Sequence, residues 1–371
     1  MHIRRNDPLH SITNRLHVTA NGSDPLERGR ERGRQLSAAL PAGLRTYLEL
    51  FAKYELDEGA VREFALRCAD AVAGWRPERL AEMDGIAAGA GVEPWHVYAL
   101  NARTEILSQG VGVAPGECST IGRRVEFGDG TVRTFGLQTW DWHHQLDGEW
   151  HTHETRGGRH DFAGLTEHGM LGKIGVNSAG LALHFNILGH RTDGAGGVPV
   201  HVLSATVLEE AATVEEAVEL VRDAPRSASS SFTLLDTERV VTTDITPIGV
   251  FVVEPVDGVV VRTNHFLSRE AQADEKTEIY QPDSGERYDL IASRLADYPE
   301  PRTDDELLAF LYSDPGQPLL CHRPDLTLPF GERWATLATV QLDPALRTAR
   351  IANGSPIDAR ASDWRTLVAS A

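Results

Sequence analysis

The sequence predicts an α+β protein in which two antiparallel sheets pack together with helices outside. Three observations predict it. Apolar residues recur at helical spacing through 25–107, the period switches to two from residue 118 onward, and two helical patterns interrupt the strand-like runs near 199–222. The helical part opens at Asp24-Pro25, a capping aspartate followed by proline at the first helical position. Next, "GAVREFALRCADAVAGW" places Val61, Phe64, Ala65, Cys68, Ala71 and Val72 on one face. Glu93-Pro94 opens "WHVYALNARTEIL", where Asn101 and Glu105 share a face, either as a solvated patch or as a buried polar tie. Beyond 118, "TVRTFGLQTWDW" and "GLALHFNIL" alternate. In the second, Leu181, Leu183, Phe185 and Ile187 point one way and His184 and Asn186 the other. Asp129-Gly130 and Asn177-Ser178-Ala179-Gly180 mark hairpin turns. Helices are expected at about 199–210 and 214–222, the second opened by the capping box Thr213…Glu216. The runs "SSFTLLD", "RVVTTDI", "GVFVVEP" and "GVVVRTNHF" read as strands, a helical stretch covers about 284–312, and "RWATLATVQLD" and "RTARIANG" are the last strands.

Composition narrows the function. The 371 residues carry 36 Lys and Arg against 54 Asp and Glu, a formal charge of −18, which argues against nucleic-acid and anionic-membrane partners. Three scattered cysteines make no disulfide framework, and the first residues lack an apolar signal-peptide core, so a cytoplasmic protein is expected. No uninterrupted apolar window approaches membrane-spanning length. The chain has no GxxxxGK[ST], GxGxxG or GxSxG, so the common phosphate-binding and serine-hydrolase signals are missing. No cofactor is expected.

Cysteines and histidines are the reactive candidates. Cys68 falls on the apolar helix stripe and reads as core. Cys321, beside His322, points away from its neighbour on an extended chain. Cys118, in "GECSTIG", follows a Gly/Pro-rich loop and begins the strand-rich half. A thiol needs a base. One solution is the α-amine of the nucleophile's own residue, which exists only after the chain is cut before the cysteine. Four histidines, His143, His144, His151 and His153, crowd one stretch, yet lack the HExxH pattern. They define a rival, metal-assisted hydrolase. A third reading is a binding protein of the same fold that is never cut.

Several stretches occur in the order seen in a known family: "NARTEI" at 101–106, "ECSTIG" at 117–122, "GLQTWDW" at 136–142, "GKIGVNSAGLALHFNIL" at 172–188, "SASSSFTLLD" at 227–236, "RTNHF" at 262–266, "SDPGQPLLCHRPD" at 313–325 and "RWATL" at 333–337. Through them the chain resembles the acyl-coenzyme A:aminopenicillanate acyltransferase-like family of N-terminal-nucleophile hydrolases. The resemblance implies a four-layer αββα sandwich, self-cleavage between Glu117 and Cys118, and cleavage or transfer at a linear amide bond through an acyl-thioester. Residues 1–117 become a helical N-terminal chain and 118–371 the nucleophile chain, the two forming one integrated domain. By the same resemblance Cys118 is the nucleophile, Asn264 and the backbone N–H of Asp141 are oxyanion donors, and Arg333 is an arginine near the nucleophile. Trp140, Trp142 and His143 are substrate-pocket candidates. Glu332 stands where the penicillin enzyme carries serine, and nothing resembles a coenzyme A cradle, so hydrolysis of a small N-acyl substrate is expected ahead of acyl transfer. The sequence leaves a homo-oligomer open.

Overall fold

The computed structural model describes residues 11–112, 118–280, 282–298, 301–314, 316–359 and 362–370. In chain order the strands are β1 (His17–Asn21), β2 (Ser119–Glu126), β3 (Val132–His143), β4 (Trp150–Arg156), β5 (Phe162–Glu167), β6 (Ile174–Asn177), β7 (Ala182–Ile187), β8 (Ser230–Leu235), β9 (Val240–Thr246), β10 (Gly249–Val253), β11 (Val259–Arg262), β12 (Trp334–Asp343), β13 (Thr348–Asn353) and β14 (Arg365–Val368). They form an eight-stranded sheet, β1-β4-β5-β6-β7-β8-β9-β10, and a six-stranded sheet, β11-β2-β3-β12-β13-β14. The sheets face each other, with β2 and β3 over β7 and β8, and β12 and β13 over β5, β6 and β7.

Helices α1 (Pro25–Leu36), α2 (Leu40–Lys53), α3 (Glu58–Trp75), α4 (Pro77–Ala90), α5 (Pro94–Asn101) and α6 (Arg103–Leu107) precede the sandwich. On the outer face of the larger sheet lie α7 (Val200–Glu210) and α8 (Val214–Asp223). Two short helices, α9 (Arg269–Gln272) and α10 (Thr277–Tyr280), lead to α11 (Asp283–Asp297), which packs with the turn Leu308–Leu311 on the smaller sheet. The layers run helix, sheet, sheet, helix, which is the αββα arrangement expected.

Local chemistry explains the boundaries. Asp24 accepts the N–H groups of Leu26 and Glu27 and so caps α1. Thr213 accepts Glu216 N–H at 3.2 Å, while the Glu216 carboxylate takes Ala212 N–H at 2.9 Å, which closes the first turn of α8. Helices α1 and α4 touch backbone to backbone: a Cβ on Gly29 would sit 2.1 Å from Glu82 O, and one on Gly85 2.2 Å from Leu26 O. Arg28 and Arg79, buried at that seam, pair with Glu82 and with Glu209 of α7, which ties the N-terminal helices to the sandwich.

Three expectations are corrected. The segment before α1 holds a strand, β1, which pairs in parallel with β4, so the larger sheet is not wholly antiparallel. β13 is not the last strand, because β14 pairs with it. The helical stretch read over 284–312 is broken: α11 ends at Asp297 and helix resumes only at Asp304. The sequence "YPEPR" between them cannot continue a helix. The Asn101–Glu105 face resolves as a buried tie. Asn101 Nδ2 donates to Val97 O and Gly169 O, each at 2.9 Å, and Glu105 Oε1 accepts the N–H of Val200, the first residue of α7, at 2.9 Å.

Candidate active site

β2 and β3 pair with Ser119 opposite Thr139, so Cys118 stands one residue before β2 and beside the far end of β3. Its Sγ lies 3.8 Å from the carbonyl oxygen of Asp141. The Cys118 carbonyl accepts Asn186 Nδ2 from the opposite sheet at 3.0 Å and an Arg287 nitrogen from α11 at 3.2 Å. Asn186 is held in turn by Thr120, whose hydroxyl donates to its Oδ1 at 2.8 Å. Both sheets and an outer helix thus fix the main chain of this cysteine, which is 4% exposed. Burial first, and the Asp141 charge second, push its thiol up to about 12. Without a dedicated base the sulfur stays protonated at neutral pH.

Asp141 and Asn264 are each linked to Cys118, the first directly and the second through Arg287. Thr139 Oγ1 donates to Asp141 Oδ2 at 3.1 Å and receives Ser119 N–H at 3.2 Å, so one hydroxyl links the carboxylate to the start of β2. Asn264 follows β11, with its N–H on Ser284 Oγ at 2.7 Å. Its Oδ1 accepts Arg287 at 3.0 Å, and its Nδ2 donates to Ile187 O at 2.9 Å. Arg333, one residue before β12, turns toward the preceding loop, where its Nε donates to Leu328 O at 2.6 Å. Lys173, Arg287 and Arg103 are cations whose charge reaches Cys118.

Trp140 and Trp142 alternate with Asp141 along β3 and so face the other side of the strand. They are 1% and 2% exposed. Lys173 Nζ sits 4.0 Å from the Trp140 ring centre, and the Arg103 guanidinium 4.2 Å from that of Trp142. Glu167 joins the two cations, accepting Lys173 at 2.6 Å and Arg103 at 2.8 Å as well as the Tyr47 hydroxyl. Burial alone would raise the Glu167 carboxyl, but Arg103 and Lys173 outweigh it and hold it well below the carboxylate range. Burial, with Arg103 nearby, pushes Lys173 down to about 8. Lys173 and Arg287 lower the Cys118 thiol, but by less than burial and the Asp141 charge raise it.

His143 packs against Trp142 and Trp334, with ring centres 4.9 and 4.3 Å apart. Burial, with Arg103 nearby, pushes it down to about 3. His144 begins a turn after β3, whereas His151 and His153 belong to β4 in the other sheet. Among the described residues no group of three His, Cys, Asp or Glu side chains is arranged to hold a metal ion. Cys68 is core, and Cys321 is buried with its Sγ 3.1 Å from Leu311 O. Glu117 lies outside the described residues. Among them, no helix is long and apolar enough to cross a membrane.

Sequence reasoning missed Arg287, Asn186, Lys173, Glu167 and Tyr47. Two of these carried a signal: Asn186 stands on the polar face of an alternating strand, and Lys173 is the one cation in "GKIGVNSAG". Arg287 sits in an ordinary amphipathic helix with nothing local to mark it.

Residues 128–358 match the family model described as acyl-coenzyme A:6-aminopenicillanic acid acyl-transferase. The match includes Asp141, Asn264, Arg287 and Arg333 and begins ten residues after Cys118. The chain is 27% identical over 293 residues to the acyl-coenzyme A:6-aminopenicillanic-acid-acyltransferase 40 kDa form of Emericella nidulans, covering 76% of this chain and 78% of that one. Among solved structures it is similar to a Caenorhabditis elegans N-acylethanolamine-hydrolyzing acid amidase ortholog (15% identity, TM-score 0.42, 62% of this chain and 93% of that one). It is also similar to a mutant of the conjugated bile acid hydrolase from Clostridium perfringens (11% identity, TM-score 0.44, 67% of this chain and 92% of that one).

Proposed function

Because the chain belongs to the acyl-coenzyme A:6-aminopenicillanic acid acyl-transferase family, we propose that it is an N-terminal-nucleophile amidohydrolase whose nucleophile, Cys118, is freed by self-cleavage after Glu117. The observation that carries this reading is that Cys118 is joined to both partners: its Sγ lies 3.8 Å from Asp141 O, and the Arg287 guanidinium bridges its carbonyl, at 3.2 Å, to Asn264 Oδ1, at 3.0 Å. In self-cleavage the Cys118 thiol attacks the Glu117 carbonyl carbon, and the peptide C–N bond breaks. The proton goes to the departing nitrogen, which becomes the α-amine. Water then hydrolyses the resulting thioester to a Glu117 carboxylate and a free thiol.

In turnover that α-amine, with an ordinary pKa near ~7.7–8.0, takes the thiol proton as sulfur attacks the amide carbonyl of the substrate. It returns the proton to the leaving amine and then deprotonates the water that hydrolyses the acyl-thioester. A residue's N–H and C=O leave a strand by the same edge. The carbonyl that faces Cys118 Sγ therefore brings the Asp141 N–H to the nucleophile's side, where it joins Asn264 Nδ2 as an oxyanion donor. The Asp141 carboxylate holds the ammonium form of the α-amine. For Arg333 to act on substrate, its guanidinium has to leave Leu328 O. Trp140, Trp142 and His143 shape the wall behind the nucleophile.

The acyl-enzyme's fate separates hydrolysis from transfer. A slow N-acyl amide is incubated with the protein and a millimolar amine, and free acid is quantified against new amide. Free acid in excess supports hydrolysis, whereas dominant new amide reassigns the protein as an acyltransferase.

A further inference from the structure

The N-terminal part of α11 carries Ser284 and Arg287, three residues apart and therefore on one helix face. Both are fully buried. Ser284 holds the backbone of Asn264 through its N–H, and Arg287 holds the side chain through Oδ1. The remaining Arg287 contacts are the Cys118 carbonyl at 3.2 Å, Ser119 Oγ at 3.0 Å and, through Nε, the Asp283 carboxylate at 2.7 Å.

A guanidinium donates and never accepts, so the group facing it must be the amide oxygen of Asn264. The amide nitrogen is then forced to the opposite side, where one of its two N–H groups anchors on Ile187 O. No second acceptor for this nitrogen is present among the described residues, and in the proposed reaction its other N–H meets the oxyanion. The same rigid plane that sets this sense also grips the main chain of the nucleophile.

We infer that Arg287 is a positioning residue of the reaction, fixing the Asn264 amide with its nitrogen as donor and setting its distance from Cys118. The inference rests on the proposed roles of Cys118 and Asn264. A lysine at this position keeps the charge, but its single nitrogen cannot span both the Cys118 carbonyl and Asn264 Oδ1.

The test is a double-mutant cycle on the purified full chain, with kcat and KM measured for each variant and folding checked by urea midpoint. Arg287→Lys should lower kcat about 10²-fold, the cost of a misplaced group of this kind, with KM little changed. In an Asn264→Ala background the same substitution should cost less than about tenfold, because the donor it positions is already gone. An equal loss in both backgrounds overturns the inference, since a merely structural arginine acts independently of Asn264. Should Arg287→Lys fail to fold, Asp283→Asn loosens the same tether from a part-exposed position. A several-fold fall in kcat that disappears in the Asn264→Ala background supports the inference, and an unaltered kcat overturns it. Cys118→Ala keeps the two readings apart. Activity surviving that change removes the proposed function itself, whereas activity lost there but unchanged in Arg287→Lys removes only the role of Arg287.

Discussion

Glu105 links the N-terminal helices to the sandwich, and its titration can be read out directly. Its carboxyl is fully buried, accepts the first N–H of α7, and is pushed by burial from 4.5 up to about 7. A carboxyl whose folded pKa is raised binds its proton more tightly in the folded chain. Its contribution is complete below about pH 4.5 and is lost as pH rises through 7. At about 1.4 kcal/mol per pH unit, the change from 4.5 to about 7 amounts to about 3 kcal/mol, most of which falls between pH 5 and 8. Glu105→Gln keeps an acceptor for Val200 N–H and removes the titration. Urea denaturation of both proteins at pH 5, 6, 7 and 8 checks this. The wild-type chain should lose about 2 to 3 kcal/mol more than the variant between the two extremes, all other titrating groups being common to both. Parallel pH profiles would refute a buried, largely protonated Glu105.

Asn264→Ala should leave the fold intact and reduce kcat by roughly 10²–10³, the usual loss for one oxyanion donor. It should also slow self-cleavage, which passes through a similar tetrahedral species, and unchanged kinetics in processed protein would remove Asn264 from the site. Prolonged chelation should leave turnover unaltered, because the proposed base and donors need no ion. Chelator-sensitive activity restored by zinc would instead promote the histidine-based reading.

Patterns confined to one element are legible in the sequence. Asp24-Pro25, the stripe of α3 and the Asp129-Gly130 turn state their own structure, and each forms where its residues place it. What escapes depends on distant partners. β1 is five residues of mixed character, and its pairing strand lies more than 130 positions away. The alternation of β7 holds, but its polar face does not meet water. Asn186 reaches across to Cys118 and Thr120, while Phe185 packs on the His201 ring of α7 with ring centres 5.0 Å apart. In a layered sandwich both faces of a central strand are buried, so polarity marks the inner, site-bearing side rather than solvent. Arg287 could not be singled out for the same reason. Its importance comes from where α11 lands on β2 and β11, which no helical period encodes.

The central claim is that Cys118 becomes the N-terminal residue of its own chain. Intact mass of freshly purified protein, under denaturing conditions, tests it most directly. The account predicts two species, residues 1–117 and 118–371, from the wild-type sequence, and a single inactive 371-residue species from Cys118→Ala. A wild-type protein that turns over N-acyl amides while its mass remains that of the uncut chain would contradict it.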